Sequence, residues 1–184
     1  MKPITALACL GLLLVPAARA DVESGPKAGE KVPALKAFGV VGTVENKEAD
    51  FAADRKDEPT VYLFVQTEHW SRPMARFMKT LDGEIGKADE KAAAVAVWVG
   101  EKAAFEKNKE YLPRAQTSLR FERTSLAAFD GEKGGPEGWA INPDAHLTVV
   151  VAHKGKVVKS FALTSVNETD VRPVLAELKK AVGK

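Results

Sequence analysis

Residues 60–85 read TVYLFVQTEHWSRPMARFMKTLDGEI, and this stretch decides the fold. Its first six residues, Thr60 to Val65, form a dense run of β-branched and aromatic side chains, typical of a strand buried on both faces. After a turn, apolar residues recur at spacings of three and four, as they do on one face of a helix. They are Met74, Phe77, Met78, Leu81 and Ile85. The pattern predicts a strand that leads directly into a helix.

Further patterns on both sides complete an α/β arrangement. Residues 92–99 (AAAVAVWV) predict a second buried strand, and residues 101–112 predict a helix that ends near Pro113. The other predicted elements are a loose edge hairpin over 34–44, a charged surface connection over 45–59, a strand over 125–129, a closing hairpin over 147–152 and 157–163, and a final helix from about residue 171. An alternating first half followed by an antiparallel hairpin predicts a mixed central sheet with helices on both faces.

The first twenty residues have the features of a signal peptide. Lys2 provides a charged start, residues 4–15 are almost wholly apolar, and Ala18-Arg19-Ala20 is a small-x-small cleavage site. We expect cleavage near Ala20, which makes the mature protein exported, in the periplasm or outside the cell. No later stretch is a candidate for a membrane span.

The single cysteine, Cys9, lies inside this predicted signal peptide. It is too close to the N-terminus, with too much apolar sequence after it, to be typical of a lipid-attachment cysteine. The mature chain would therefore contain no cysteine, and so neither a disulfide nor a redox thiol.

Composition argues against several partner classes. Of the 27 basic residues two lie in the predicted signal peptide, which leaves 25 basic against 25 acidic residues. No basic block or aromatic-basic stripe indicates nucleic-acid binding, and no charge asymmetry indicates a membrane surface. Residues 21–33, rich in Lys, Glu, Gly and Pro, predict a mobile leader, and residues 34–184 have the length of one domain.

Two motifs resemble those of the thioredoxin-like superfamily, most closely its exported redoxin branch of peroxiredoxin and cytochrome-maturation types. The stretch TVYLFVQTEHWSRPMARF is similar to the family's strand, active-site turn and helix. The stretch GPEGWAINPDAHLTVVVAHKGKVVKSF, residues 135–161, is similar to its closing hairpin. The resemblance covers about residue 32 to the C-terminus and implies a three-layer sandwich with a central mixed sheet.

The departures from the family pattern bear directly on function. The resemblance places the family's two cysteines on Ser71 and Met74, and its cis-proline on His146 or Leu147, since Pro143 is too early. Thiol–disulfide exchange needs a thiolate, which neither a serine hydroxyl nor a thioether supplies. Dithiol oxidoreductase and cysteine peroxidase activities are therefore excluded for the mature chain.

Ser71 has two interpretations. A serine before a helix whose first turn contains Pro73 is typical of an N-cap, and we favour that interpretation. A serine nucleophile needs an adjacent base and an orienting third group, and His69 is the only near candidate in sequence.

The resemblance also implies that His69 and His146 lie near one another, with Met74 close by. Two imidazoles and a thioether are ligand types for copper, and two imidazoles with a water can hold zinc. Only two strong ligands are evident, however, and Met74 begins the apolar stripe of the helix. We expect no cofactor, with copper or zinc as the alternative.

Three further residues bear on binding. Arg72 places a cation where the helix N-terminus already favours an anion. Trp70 and Trp139 are candidates for a partly exposed aromatic patch, although core packing is favoured for both, and Trp98 lies in a buried run.

The leading hypothesis is an exported thioredoxin-like protein without redox activity. It binds a protein or peptide in the cell envelope through its former active-site face, the residues His69, Trp70, Ser71, Arg72, Pro73, Met74, His146 and Leu147. The alternative is a metal-binding protein or metal-dependent enzyme that uses His69 and His146.

Overall fold

The computed structural model describes residues 22–184. The predicted signal peptide, its cleavage site and Cys9 lie outside these residues. The strands are β1 Lys36–Val41, β2 Lys47–Asp50, β3 Thr60–Gln66, β4 Ala93–Val99, β5 Thr124–Ala128, β6 Leu147–His153 and β7 Lys156–Leu163. The helices are α1 Phe51–Arg55, α2 Arg72–Ile85, α3 Phe105–Leu119 and α4 Val171–Ala181. None of these helices has the length and apolar content of a membrane span.

The strands form one mixed sheet in the order β2-β1-β5-β4-β3-β6-β7. Strands β3, β4 and β5 run parallel, while β6 pairs antiparallel with β3, and β7 antiparallel with β6. Every residue of β3 is buried, because strands pair on both of its edges and side chains cover both of its faces. The predicted buried strand, the helix after it and the closing hairpin are confirmed.

Two apolar cores lie on opposite faces of the sheet. The first joins alternate residues of the central strands to the buried faces of α2, α3 and α4, and it contains all five residues of the predicted helix stripe. The second lies under α1 and the loop between β5 and β6. Helices therefore cover both faces, but three of the four lie on one.

The region between residues 34 and 59 is more ordered than its sequence pattern predicts. The hairpin consists of β1 and β2, and α1 follows inside the stretch that we interpreted as a charged connection. The Asp50 carboxylate caps α1 by accepting hydrogen bonds from the N–H groups of Ala52 and Ala53. A four-residue strand and a five-residue helix are too short to give a periodic pattern, so the prediction missed both.

Helix α3 does not end near Pro113 but continues for six more residues to Leu119. Leu112 and Ala115 are buried on either side of an exposed proline. A proline inside a helix removes one backbone hydrogen bond and crowds the preceding turn. Packing of the apolar face outweighs that cost here, so the predicted helix end was wrong.

The predicted mobile leader packs along the domain. The N–H groups of Gly29 and Val32 donate to the carbonyls of Val157 and Gly155, and Val157 donates back to Glu30. Ser24 is 7% exposed, and its hydroxyl lies 2.6 Å from that of Thr148. A composition rich in polar residues predicts mobility, but here the backbone supplies the contacts. The packed unit therefore begins well before residue 34.

Candidate functional site

The predicted site lies where β3 ends. After Gln66 the chain makes a single 3₁₀ turn, Thr67–His69, then passes through Trp70 and Ser71 into α2. The N–H of Gln66 donates to the carbonyl of His146 at 3.1 Å, which fixes this turn beside the start of β6. Two segments distant in sequence thus meet at the carboxyl end of the parallel strands.

His69 and His146 stack directly on each other. Their ring centroids lie 3.7 Å apart and the ring planes are inclined by 16°. Both residues are partly exposed. The expectation that the two imidazoles lie near one another is confirmed.

A charged group adjoins the stacked pair. Glu68 Oε1 lies 3.7 Å from His69 Nε2, and Glu68 Oε2 lies 2.9 Å from Lys133 Nζ. The hydrogen bond from Lys133 holds the pKa of Glu68 below its ordinary value and raises the pKa of Lys133. Desolvation and then the neighbouring His69 lower the pKa of His146, against an opposing effect of Glu68. These effects together favour the neutral form of His146.

The stacked geometry restricts metal binding. A zinc ion lies near the plane of an imidazole that binds it, about 2 Å from the nitrogen. Two nearly parallel rings 3.7 Å apart do not meet this condition together, so one ring must rotate before both hold one ion. Within residues 22–184, no three His, Cys, Asp or Glu side chains are arranged to hold a metal.

Met74 and Leu147, two of the predicted binding residues, are inaccessible. Met74 is 1% exposed and Leu147 is fully buried, both in the core under α2. Leu147 pairs with Val65 in the sheet. Neither side chain reaches a ligand at the surface, and Met74 does not complete a copper site.

Ser71 occupies the N-cap position of α2, as predicted, but its side chain makes no cap bond. Pro73 is the second helical residue and has no N–H, which removes one of the two usual donors to a cap. The exposed hydroxyl is thus free, while the His69 ring is stacked on His146. This is not the serine–base arrangement that activates a nucleophile.

Trp70 links the turn to α3. Its indole Nε1–H donates to the Tyr111 hydroxyl at 2.7 Å, and its ring packs edge-on against Trp98 at 5.2 Å. Trp98 is buried, as predicted. The side of Trp70 away from the core contributes to a groove of about 250 Å³.

This groove, which we name the α2–α3 groove, separates the start of α2 from α3. Its polar and aromatic lining consists of Trp70, Ser71, Arg72, Tyr111, Arg114 and Ser118. Sequence analysis missed Tyr111 and Arg114. Their spacing of three places them on one helix face, but nothing in the sequence indicated that this face adjoins the turn.

Trp139 belongs to no exposed patch. It is fully buried, packs against Tyr62 and Phe64, and donates its indole N–H to the Ala34 carbonyl at 2.9 Å. The core alternative for Trp139 is confirmed. Of the two tryptophans considered for a surface patch, only Trp70 remains partly exposed.

Two larger depressions, each about 550 Å³, lie away from the turn. One is at the opposite end of β4 and β5, where Arg55 and Arg123 bond backbone carbonyls. The other lies between α2 and α4, where Thr80 bonds Glu168. Neither contains a residue of the predicted site.

A scan against protein-family models finds no match, and neither does a search of curated proteins. Solved structures do match. Peroxidoxin BcpB from Mycobacterium tuberculosis is 14% identical over 84% of this chain and 97% of its own, with a TM-score of 0.61. A DsbF homologue from Corynebacterium diphtheriae is 15% identical over 88% and 95%, with a TM-score of 0.59. The exposed lipoprotein thioredoxin Etrx1 from Streptococcus pneumoniae strain TIGR4 is 14% identical over 79% and 99%, with a TM-score of 0.53.

At such low identity these likenesses establish the fold and nothing about activity. The chain has a thioredoxin-like α/β fold, as its sequence predicted.

Proposed function

We propose that this thioredoxin-like domain is exported, carries out no thiol–disulfide chemistry, and binds a protein or peptide through the face around its former active-site turn. One observation carries the proposal. The turn between β3 and α2 retains its position in the fold, while Ser71 and the buried Met74 stand where the resemblance places two cysteines. The only cysteine in the sequence is Cys9, in the predicted signal peptide.

The exposed side chains of this face support binding. Trp70 is partly exposed, Arg72 is exposed, and Tyr111 of α3 is 40% exposed beside them. Aromatic residues and arginine are the usual energetic anchors of protein interfaces, because they bury large area and hydrogen-bond at the same time. These three residues surround one groove rather than being scattered over the surface.

Recovery of partners tests the binding face. The protein spanning residues 21–184 would be immobilised and exposed to cell-envelope extract from its source organism. We expect the Trp70→Ala and Arg72→Ala variants to lose a partner that wild type retains. Arg76→Ala, a change at an exposed arginine one turn further along α2, should keep it. Equal recovery by all four proteins would show that this face is not the interface.

Two simpler measurements test the other parts of the proposal. The protein spanning residues 21–184 should not accelerate the reduction of insulin disulfides by dithiothreitol, and a rate above that of dithiothreitol alone would contradict the proposed loss of activity. Mass spectrometry of the protein isolated from its source should find an N-terminus near Asp21. A chain that retains Met1 or Lys2 would contradict export with cleavage.

The adjacency of His69 and His146 supports a second candidate, a copper or zinc site formed when one ring rotates out of the stack. The two imidazoles adjoin each other, and the lowered pKa of His146 favours the neutral form, which is the form that binds metal. Calorimetric titration with copper or zinc should then show one-to-one binding that His69→Ala and His146→Ala abolish. His153→Ala serves as control, since His153 bonds the Ala181 carbonyl instead. No heat of binding in wild type would remove this candidate.

A further inference from the structure

The α2–α3 groove has cations but no anions along its lining. Arg72 and Arg114 both line it, and none of its lining residues is acidic. Among the residues that the structure describes, the ion pairs use lysine or histidine as the cation, and neither Arg72 nor Arg114 takes part in one. Glu110 lies one helical turn before Arg114 but forms no ion pair with it. The groove therefore presents two guanidinium groups whose charge the domain does not neutralise.

Tyr111 adds a hydrogen-bond donor and an apolar wall. At 40% exposure it is the one large hydrophobic side chain exposed in residues 22–184. Its hydroxyl oxygen accepts the Trp70 indole N–H, so the hydroxyl hydrogen remains free to donate. The uncapped hydroxyl of Ser71 opens onto the same groove.

We propose that the α2–α3 groove binds an acidic, extended peptide segment of the partner. A carboxylate of the segment lies between Arg72 and Arg114 and accepts the Tyr111 hydroxyl hydrogen. An adjacent apolar side chain of the segment packs against the rings of Tyr111 and Trp70. This inference rests on the proposed function and names the chemistry of the partner that the former active-site face recognises.

Charge and shape both support this occupant. Planar guanidinium groups bind carboxylates through paired, charge-assisted hydrogen bonds, which are stronger than neutral ones. At about 250 Å³ the groove is smaller than the pockets that enclose most small ligands, which begin at about 300 Å³. A shallow groove between two helices suits one or two side chains of a chain that continues over the surface.

Selection from a random peptide library displayed on phage tests the inference without a known partner. Wild-type protein spanning residues 21–184 should enrich peptides in which Asp or Glu adjoins an aromatic or aliphatic residue. Arg72→Gln and Arg114→Gln should each weaken binding of the selected peptides by about tenfold, the value of one charge-assisted hydrogen bond. Tyr111→Phe should weaken it less, because the ring contact remains. Arg76→Gln is the matched control and should bind as wild type does.

The outcomes separate this inference from the proposal on which it rests. Enriched peptides that depend on Trp70 or His69 but bind Arg114→Gln normally would overturn the acidic-segment inference and leave peptide binding intact. Neutral or basic consensus peptides would also overturn it. No enrichment by a folded wild-type protein would contradict peptide binding itself. Replacement of Asp and Glu by Asn and Gln in a selected peptide should abolish binding, and unchanged affinity would overturn the inference.

Discussion

His146 shows how a single position in this fold acquires chemical properties from its neighbours. Its ring stacks on the His69 ring, and burial and His69 lower its pKa while the nearby Glu68 opposes them. Protonation would place a positive charge in a partly desolvated position beside another imidazole. The neutral ring is therefore favoured in the folded protein. In the unfolded chain the same ring binds a proton with the ordinary pKa of 6.5.

Replacement of His69 should raise the pKa of His146. The His69→Ala change removes a neighbouring charge and exposes the remaining ring to water, and both effects favour protonation. NMR titration of the imidazole C–H signals would measure the change. His153→Ala should leave the His146 pKa unaltered, since His153 lies at the other end of β6. A wild-type His146 pKa at or above 6.5 would contradict the structure.

The same shift has a consequence for stability. The folded state binds the His146 proton less readily than the unfolded state does. The contribution of His146 to the free energy of unfolding is therefore fully present above pH 6.5. It is lost as the pH falls through the lower pKa of the folded protein. The free energy of unfolding should therefore fall on acidification through this window, by less in a His146→Gln variant than in wild type.

The single-residue predictions succeeded where chemistry was local and failed where it depended on distant contacts. The buried stripe of α2 and the buried Trp98 follow from periodicity, which the sequence displays directly. The bond between Trp70 and Tyr111 joins residues 41 positions apart, so no local pattern predicts it. Ser71 makes no cap bond, and Met74 is too buried to reach a ligand. Both results depend on how the side chains pack, which residue type alone does not determine.

At the scale of elements, long and strongly patterned segments were predictable and short ones were not. Strands β3, β4, β6 and β7 lie within a residue or two of their predicted bounds. Strand β2 and helix α1 were missed because they are only four and five residues long, and side-chain capping by Asp50 rather than periodicity defines α1. Helix α3 was predicted too short because proline usually ends a helix. Here tertiary packing stabilises the helix beyond Pro113.

Pro113 predicts an unusual result, in which a substitution inside a helix stabilises the protein. Pro113→Ala should restore the missing backbone hydrogen bond to Lys109 and relieve crowding in α3. Proline costs about 3 kcal/mol in a helix interior, of which the greater freedom of the unfolded alanine chain offsets up to about 1 kcal/mol. Urea denaturation should show that the free energy of unfolding of Pro113→Ala exceeds that of wild type by about 2 kcal/mol.

Ser118→Ala, at an exposed position later in the same helix, provides the comparison. It should change the free energy of unfolding by no more than about 0.5 kcal/mol. If Pro113→Ala is less stable than wild type, the proline is favoured in its helical position, and our account of how α3 continues past it is incorrect.

At the scale of the whole molecule, the leader connects parts of the chain that no helix covers. Ser24 hydrogen-bonds to Thr148 and accepts the N–H of Asn142, while Ser160 donates to the carbonyl of Pro26. The leader thereby fastens the loop before β6 to the edge of the sheet at β7. The position of His146 depends on that loop, so the leader supports the site without contacting it.

Loss of the Ser24 hydroxyl should destabilise the whole domain. In Ser24→Ala the fully buried Thr148 loses its hydroxyl partner, which costs about 1–3 kcal/mol. Chemical denaturation of the protein spanning residues 21–184 measures this loss. The double variant Ser24→Ala/Thr148→Val removes both hydroxyl groups. Its free energy of unfolding should fall by less than the sum of the decreases in the two single variants. A Ser24→Ala variant as stable as wild type would mean that the leader is not docked in solution.

The docked leader also sets an order in time. The leader is synthesised well before the residues to which it binds, since Thr148 follows Ser24 by 124 positions. Until β6 and β7 have been made, the leader has no strands to pack against, and the loop that carries Trp139 remains uncovered. A nascent chain of this protein therefore leaves that face uncovered until β6 and β7 have been made, and only then can the leader pack against them.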